Sequence, residues 1–293
     1  MTEAGGEVLC FGEILWDFLP DGLHAGGAPF NVAYHLRQLG RPVRLVSAVG
    51  RDVLGDELLR RLRHWGMPTD GVARHAVRPT GFVRAALTPG GDARYEIAGD
   101  VAWDRIEPSA NTLAAAARAR AVVFGSLAQR SAGNRDALDR LLPALPAGAA
   151  RVFDVNLRPP HDDLDRVRLL ARHATVLKLN EDEAGRLAGG APGGEEGRAR
   201  SLAAQTGCAL VCVTCGARGA GLLRGGRWHW EPGRPVAVVD TVGAGDAFLA
   251  ALVAHLLDGR LADAEILGRA CRLGEWVAGH RGATPPYDAS TPT

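Results

Sequence analysis

Short apolar runs alternate with amphipathic stretches along the whole chain of 293 residues, and this rhythm constrains the fold more than any other feature of the sequence. The apolar runs have the length of buried strands, and the stretches between them repeat their apolar positions with a helical period. The pattern predicts an α/β protein built on a largely parallel sheet. Core strands are expected at 8–12, 43–49, 121–125, 151–155, 175–179 and 209–214. Helices are expected at 28–39, 53–65, 134–142, 163–172, 181–188, 195–206, 244–257 and 262–279. Pro29 suits the first turn of its helix and Gly40 the stop after it. The 38 glycines are scattered among the apolar runs, so they signal tight turns and not disorder. With no repeat and no long linker, residues 1–293 read as a single domain.

Two segments break the alternation: 13–23, and 81–87 with 92–97 around the turn 88–91. Both alternate in polarity like half-exposed strands, and they predict a small sheet standing off the main one, inserted at 13–25 and 80–104. A sheet with so little core of its own can act as a lid.

Charge and composition remove several classes. With 34 basic and 33 acidic side chains the net charge is +1, which gives no electrostatic reason to expect nucleic acid or an anionic membrane as partner. No run approaches ~18 uninterrupted apolar residues. Residues 1–7 carry two acids and no base, unlike a secretory signal, so a cytoplasmic protein is expected. Five cysteines suit a reduced compartment. Cys208, Cys212 and Cys215 fall in an apolar run and read as buried structural cysteines; a strand there would turn Cys208 and Cys212 to one face and Cys215 to the other. Lysine occurs once, at Lys178, flanked by Leu177 and Leu179, which excludes a Walker A loop and the protein-kinase V-A-I-K strand. No histidine is followed by glutamate, no G-x-S-x-G elbow occurs, and no G-x-G-x-x-G follows the first strand, so zinc proteases, α/β-hydrolases and dinucleotide-binding dehydrogenases are excluded.

Chemistry concentrates at two glycine-rich segments. The first, Asp240-Thr-Val-Gly243-Ala-Gly245-Asp246-Ala-Phe248, follows the strand-like run 236–239 and opens a helix. Backbone N–H groups at such a helix start converge into an anion hole, and a carboxylate in the first turn can take a proton from an attacking hydroxyl. The plain alternative is a glycine-rich turn with Asp246 as helix cap. The helix dipole is expected to hold the Asp246 carboxyl low. The second segment, Gly26-Gly27-Ala-Pro-Phe-Asn31, also precedes a helix; its glycines admit a ligand to the backbone, and Asn31 offers a donor and an acceptor. In the strand at 151–155 and just beyond, Asp154, Asn156 and Arg158 share one face by the period-two rule, as do Lys178 and Asn180 in the next.

These segments, with 12–17, 33–35, 124–130, 153–158 and 178–183, resemble the PfkB (ribokinase-like) family of carbohydrate kinases along nearly the whole chain, and among them the fructokinase-type branch. The resemblance implies a three-layer ribokinase-like α/β sandwich with a mostly parallel central sheet and a small β-sheet lid. It implies transfer of the ATP γ-phosphate to a sugar hydroxyl, with fructose as acceptor and ATP and Mg2+ as cofactors. By resemblance Asp246 is the catalytic base and Gly243, Ala244 and Gly245 form the anion hole. Asp17, Gly27 and Asn31 match sugar-binding positions, Trp103 would cover the sugar face, and Arg158 and Asn156 would face substrate and triphosphate. Asn180 and Glu183 match the element that positions Mg2+ through water, Thr214, Gly216 and Gly219 match the nucleotide side, and Lys178 would lie near the phosphates. The exposed edges of a lid sheet suit a homodimer. Two alternatives stay open: a kinase of the same fold acting on 2-keto-3-deoxygluconate or a nucleoside, for which Arg84 and Arg94 offer extra positive charge, and a catalytically silent sugar sensor.

Overall fold

A computed structural model describes residues 6–19, 22–87 and 93–292; the turn expected at 88–91 and the side chains of Arg94 and Tyr95 lie outside that description. In chain order the first elements are β1 (Val8–Phe11), β2 (Leu15–Leu19), β3 (Gly22–Gly26), α1 (Ala28–Gln38), β4 (Val43–Gly50), α2 (Val53–His64) and β5 (Val72–His75). The middle of the chain forms β6 (Gly81–Leu87), β7 (Ala93–Ile97), α3 (Ala110–Ala116), β8 (Ala121–Gly125), α4 (Ala132–Leu141), β9 (Ala150–Asp154), α5 (Leu164–Ala171) and β10 (Val176–Asn180). The remainder forms α6 (Glu181–Ala188), α7 (Gly194–Thr206), β11 (Leu210–Thr214), β12 (Gly219–Arg224), β13 (Arg227–Pro232), α8 (Ala244–Asp258) and α9 (Asp263–Ala278).

Among the described residues, nine strands form one sheet in the order β13-β12-β11-β10-β9-β8-β1-β4-β5, parallel from β5 to β11 and closed at the other edge by the antiparallel β12 and β13. Alternation along the strands decides the layering. Val8 and Cys10 of β1 enter a core shared with α1, α2, α8 and α9, whereas Leu9 and Phe11 enter one shared with α3 to α7. Helices thus cover both faces, as buried parallel strands require. The helix α8 is buried along its length from Asp246 to His255, which is why its sequence is apolar on every side.

The two irregular segments join as a second sheet in the order β3-β2-β6-β7. It is mixed: β2 and β6 run parallel, with Leu15 opposite Gly81, while the outer pairs are antiparallel.

The structure departs from the sequence reading in several places. A hairpin, β12–β13, turns at Gly225 and Gly226 with φ of 55° and 76°, a conformation that suits two glycines between antiparallel strands. The short β5 and α3 lacked enough periodic positions to be read. The run at 236–239 is not a strand; Val238 and Val239 are exposed. Beyond Asp154 the chain leaves the strand, and Asn156 takes φ of 40°, so the shared face expected for Asp154, Asn156 and Arg158 ends at Asp154.

Candidate active site

The carboxyl ends of β1, β9, β10 and β11 open on one side of the sheet, where open α/β sheets bind ligands. The turn before α8 meets them there. Gly243 has φ of 79°, and a Cβ on it would stand 2.5 Å from Ala283 Cα and 2.6 Å from Ala283 Cβ, so only glycine fits this cap. In the first turn of α8, Ala244 N–H donates to Thr241 O at 3.3 Å, while the amides of Gly245 and Asp246 have no partner inside the helix, the arrangement that suits an anion. Lys178 brings a cation to the same place: a Cβ on Gly245 would lie 3.2 Å from Lys178 Nζ. The ammonium is buried and donates to Asp154 Oδ1 at 3.0 Å and Oδ2 at 3.3 Å. Burial alone would lower its pKa, but the charges of Asp154, Asp246 and Glu183 outweigh that and hold it above its ordinary value.

Asp246 stands in the first turn of α8, 8 % exposed, and its Oδ2 accepts from Asn31 Nδ2 at 2.8 Å. Burial, then the like charge of Asp154, push its carboxyl up to about 7, against the Asn31 bond and the charges of Lys178 and Arg158. This corrects the expectation that the helix dipole would hold it low: desolvation of a carboxylate outweighs a few partial charges.

Asn31 links this base to the second glycine segment, since its own N–H donates to Gly27 O at 2.8 Å in the first turn of α1. Gly26 leaves space for Asp17, whose Oδ2 would lie 2.1 Å from a Cβ there. Asp17 is half-buried on β2, and burial raises its carboxyl to about 6, against the charges of His24 and Arg158. The charge of Arg158, an exposed residue whose Nη1 donates to Leu157 O at 3.1 Å, lowers the carboxyls of Glu13, Asp17 and Asp246 against their burial.

On the other side of the α8 turn lies a cavity of about 880 Å3, lined by Asn180, Thr214, Gly216, Gly219, Ala244 and Gly245 together with Val236, Val238, Phe248 and Gly274. A Cβ on Gly219 would strike Glu231 O at 2.0 Å, so its backbone approach also requires glycine. At the mouth, Asn180 Oδ1 accepts from Glu183 N–H at 2.8 Å, Glu183 Oε2 from Asn180 N–H at 2.9 Å, and Glu183 Oε1 from Leu157 N–H at 2.7 Å. This capping box starts α6. Its oxygens are committed to backbone donors and keep only spare lone pairs, a donor set that fits an ion held through water and not by direct ligation. Burial, together with the Asp154 charge, raises the Glu183 carboxyl in spite of the amides it accepts from.

Sequence-based candidates therefore fall into two groups around the α8 turn. Asp17, Gly27, Asn31, Arg158 and Asp246 gather on one side. Asn180, Thr214, Gly216 and Gly219 gather on the other, with Lys178 and Glu183 between. Three candidates behave differently. Trp103 is 1 % exposed in a 3-10 turn beneath the small sheet, packed with Leu15, Val101 and Leu127 and stacked 4.0 Å under Arg130, so it belongs to a core and offers no face to a sugar. Arg84 is paired with Glu96 on the exposed side of the small sheet. Cys208 packs with Cys215 on the opposite side of the sheet from Cys212, because it precedes the strand and escapes its alternation. Asp154, expected from its strand face, proves to be the partner of Lys178, and one residue emerges only in three dimensions: Glu13, buried beside the Gly27 turn. The signal for Glu13 was a carboxylate set just after a fully apolar strand.

The family model for the pfkB family carbohydrate kinases matches residues 21–290, and the chain belongs to that family. A fructokinase of Klebsiella pneumoniae is 31 % identical over 272 residues, covering 86 % of this chain and 84 % of that one. A fructokinase of Xylella fastidiosa, solved with bound ATP, superposes with a TM-score of 0.82 at 25 % identity, covering 95 % and 94 % of the two chains. A sugar kinase of Pyrococcus horikoshii superposes with a TM-score of 0.80 at 26 % identity over 95 % and 94 %. The fold is ribokinase-like, and the protein is a sugar kinase. No helix among the described residues is long and apolar enough to cross a membrane.

Proposed function

We propose that this kinase transfers the γ-phosphate of ATP to a hydroxyl of fructose, with Mg2+ as the divalent ion. The observation that carries the reading is Asp246, a buried carboxylate in the first turn of α8, hydrogen-bonded to Asn31 and flanked by Lys178. In the proposed reaction Asp246 takes the proton of the attacking hydroxyl. That oxygen forms a new bond to the γ-phosphorus while the bond from phosphorus to the ADP oxygen breaks. The first-turn amides and Lys178 stabilise the charge on the transferring group. Asp17, Gly27 and Asn31 hold the acceptor; Thr214, Gly216 and Gly219 line the nucleotide cavity; Arg158 and Asn156 lie toward the junction. Asn180 and Glu183 would hold the hydrated Mg2+, which when bound neutralises phosphate oxygens. A neutral polyol is favoured over a sugar acid because Asp17 beside Gly26 and Asp246 beside Asn31 are both carboxylates, which repel an acid group on the acceptor. The small sheet is proposed as the lid, and its edge strands β3 and β7 as a surface for pairing with a second copy.

A coupled assay of ADP release across sugars, sugar acids and nucleosides tests the reading. Fructose is expected to give the highest kcat/KM. Preference for a sugar acid or a nucleoside would overturn the acceptor assignment, and a folded protein that binds sugar without turnover would mark a sensor.

A further inference from the structure

Glu13 sits two residues beyond the end of β1 and is 3 % exposed. Its Oε1 accepts from Ala28 N–H at 3.3 Å, at the first residue of α1, and a Cβ on Gly27 would lie 3.3 Å from Glu13 Cγ. Its Oε2 is buried and has no hydrogen-bond partner among the described residues. Asn31, one turn along the same helix, is 4 % exposed and repeats the pattern: Nδ2 is spent on Asp246, and Oδ1 is buried without a partner among the described residues. Leaving such an acceptor unmet costs about 1–3 kcal/mol, more for a charged group, so two of them at one helix start need a source of donors. Ala28 N–H donates to Glu13 and Asn31 N–H to Gly27 O, so both acceptors flank the same turn at the start of α1.

We infer that Glu13 is a further acceptor-binding residue, its Oε2 receiving a hydrogen bond from a sugar hydroxyl while Oε1 holds the Gly27 turn. This rests on the sugar-kinase reading and deepens it. Two free acceptors call for a ligand that supplies two hydroxyl donors here, in addition to any hydroxyl held by Asp17. It also gives Glu13 a split task. One oxygen fixes the backbone that the sugar approaches, and the other reads the sugar.

The test uses Glu13→Gln, which keeps a carbonyl oxygen for Ala28 N–H and replaces the second acceptor by a donor. Calorimetric binding of fructose and of its singly deoxygenated analogues is compared in wild type and variant. Fructose affinity is expected to fall about tenfold or more, as for loss of a hydrogen bond to a charged group, with ATP affinity within twofold. For one analogue only, the wild-type preference for fructose over the deoxy compound should collapse in the variant. Unchanged discrimination against every analogue would overturn the role of Glu13 and leave the kinase reading standing. If wild type binds none of the sugars, that reading falls and Glu13 with it. Should Glu13→Gln not fold, a crystal structure of wild type with sugar decides: a sugar oxygen within ~3.2 Å of Oε2 is expected, and none within ~4 Å would refute the contact.

Discussion

Two buried charge clusters lie on the same side of the central sheet and are built on opposite principles. Beneath the small sheet, Arg130 uses all its nitrogens. Nε and Nη2 donate to Asp104 at 2.7 and 2.8 Å, Nη2 also to Ala98 O at 2.6 Å, and Nη1 lies 3.2 Å from His161 Nε2. Its flat face covers Trp103. Around the α8 turn, by contrast, Asp246 has one side-chain donor, and Asn31 Oδ1 and Glu13 Oε2 have none among the described residues. The carboxyls of Asp17 and Asp246 are pushed up to about 6 and about 7 because burial is incompletely compensated. Apart from Trp103 Nε1, a buried donor with no partner among the described residues, the first cluster spends its polar groups on anchoring the end of β7 to the main body. The second holds groups at a cost in stability that a substrate can later offset, the usual signature of a functional site.

That contrast can be broken at either cluster. The largest effect is expected from Asp246→Asn, which keeps size and capping ability but cannot accept a proton: kcat should fall by roughly 10²–10⁴ with sugar and ATP affinities nearly intact. Because the substitution removes a poorly solvated carboxylate, stability above neutral pH should hold or rise, as denaturant unfolding would show. Arg130→Met should do the reverse. Removing one partner of an ion pair whose side chains are 8 % and 11 % exposed leaves Asp104 buried and unpaired, a loss of about 3–5 kcal/mol in unfolding free energy. If Asp246→Asn proved as destabilising as Arg130→Met, the two clusters would be structural alike. Asp17→Ala should be the mildest, raising the sugar KM in proportion to one lost charge-assisted hydrogen bond, about 1.5–3 kcal/mol, with the ATP KM unchanged. Equal losses for both substrates would assign Asp17 to the packing of the small sheet.

Much of this was legible in the sequence, because periodicity reports burial directly. The parallel strands and long helices follow from it, and Asp52 caps α2 through Gly55 N–H just where the helix was expected to begin. The chemistry around Asp246 was legible for a different reason: a helix that must start at a positive-φ glycine packed on Ala283 tolerates few other residues. What was not legible depends on contacts between distant segments. Strand alternation cannot foresee that the chain turns out of β9 at Asn156, so Arg158 lies in a loop. Trp103 was expected to cover the sugar face because nothing local reveals the arginine stacked on it from 27 positions later. The Asp246 carboxyl was misjudged because the helix dipole is local, whereas burial by α1 and the charge of Asp154 are not.

The central claim is that Asp246 is a buried base whose proton affinity lies near neutrality. The pH dependence of kcat/KM for the sugar at saturating nucleotide tests it most directly, with Asp246→Asn measured alongside. A base works only when deprotonated, so wild-type kcat/KM should fall about tenfold per pH unit below an apparent pKa of about 7. The low residual rate of Asp246→Asn should show no such limb. A wild-type profile flat from pH 8 down to about pH 5, or the same acidic limb in the variant, would contradict the account.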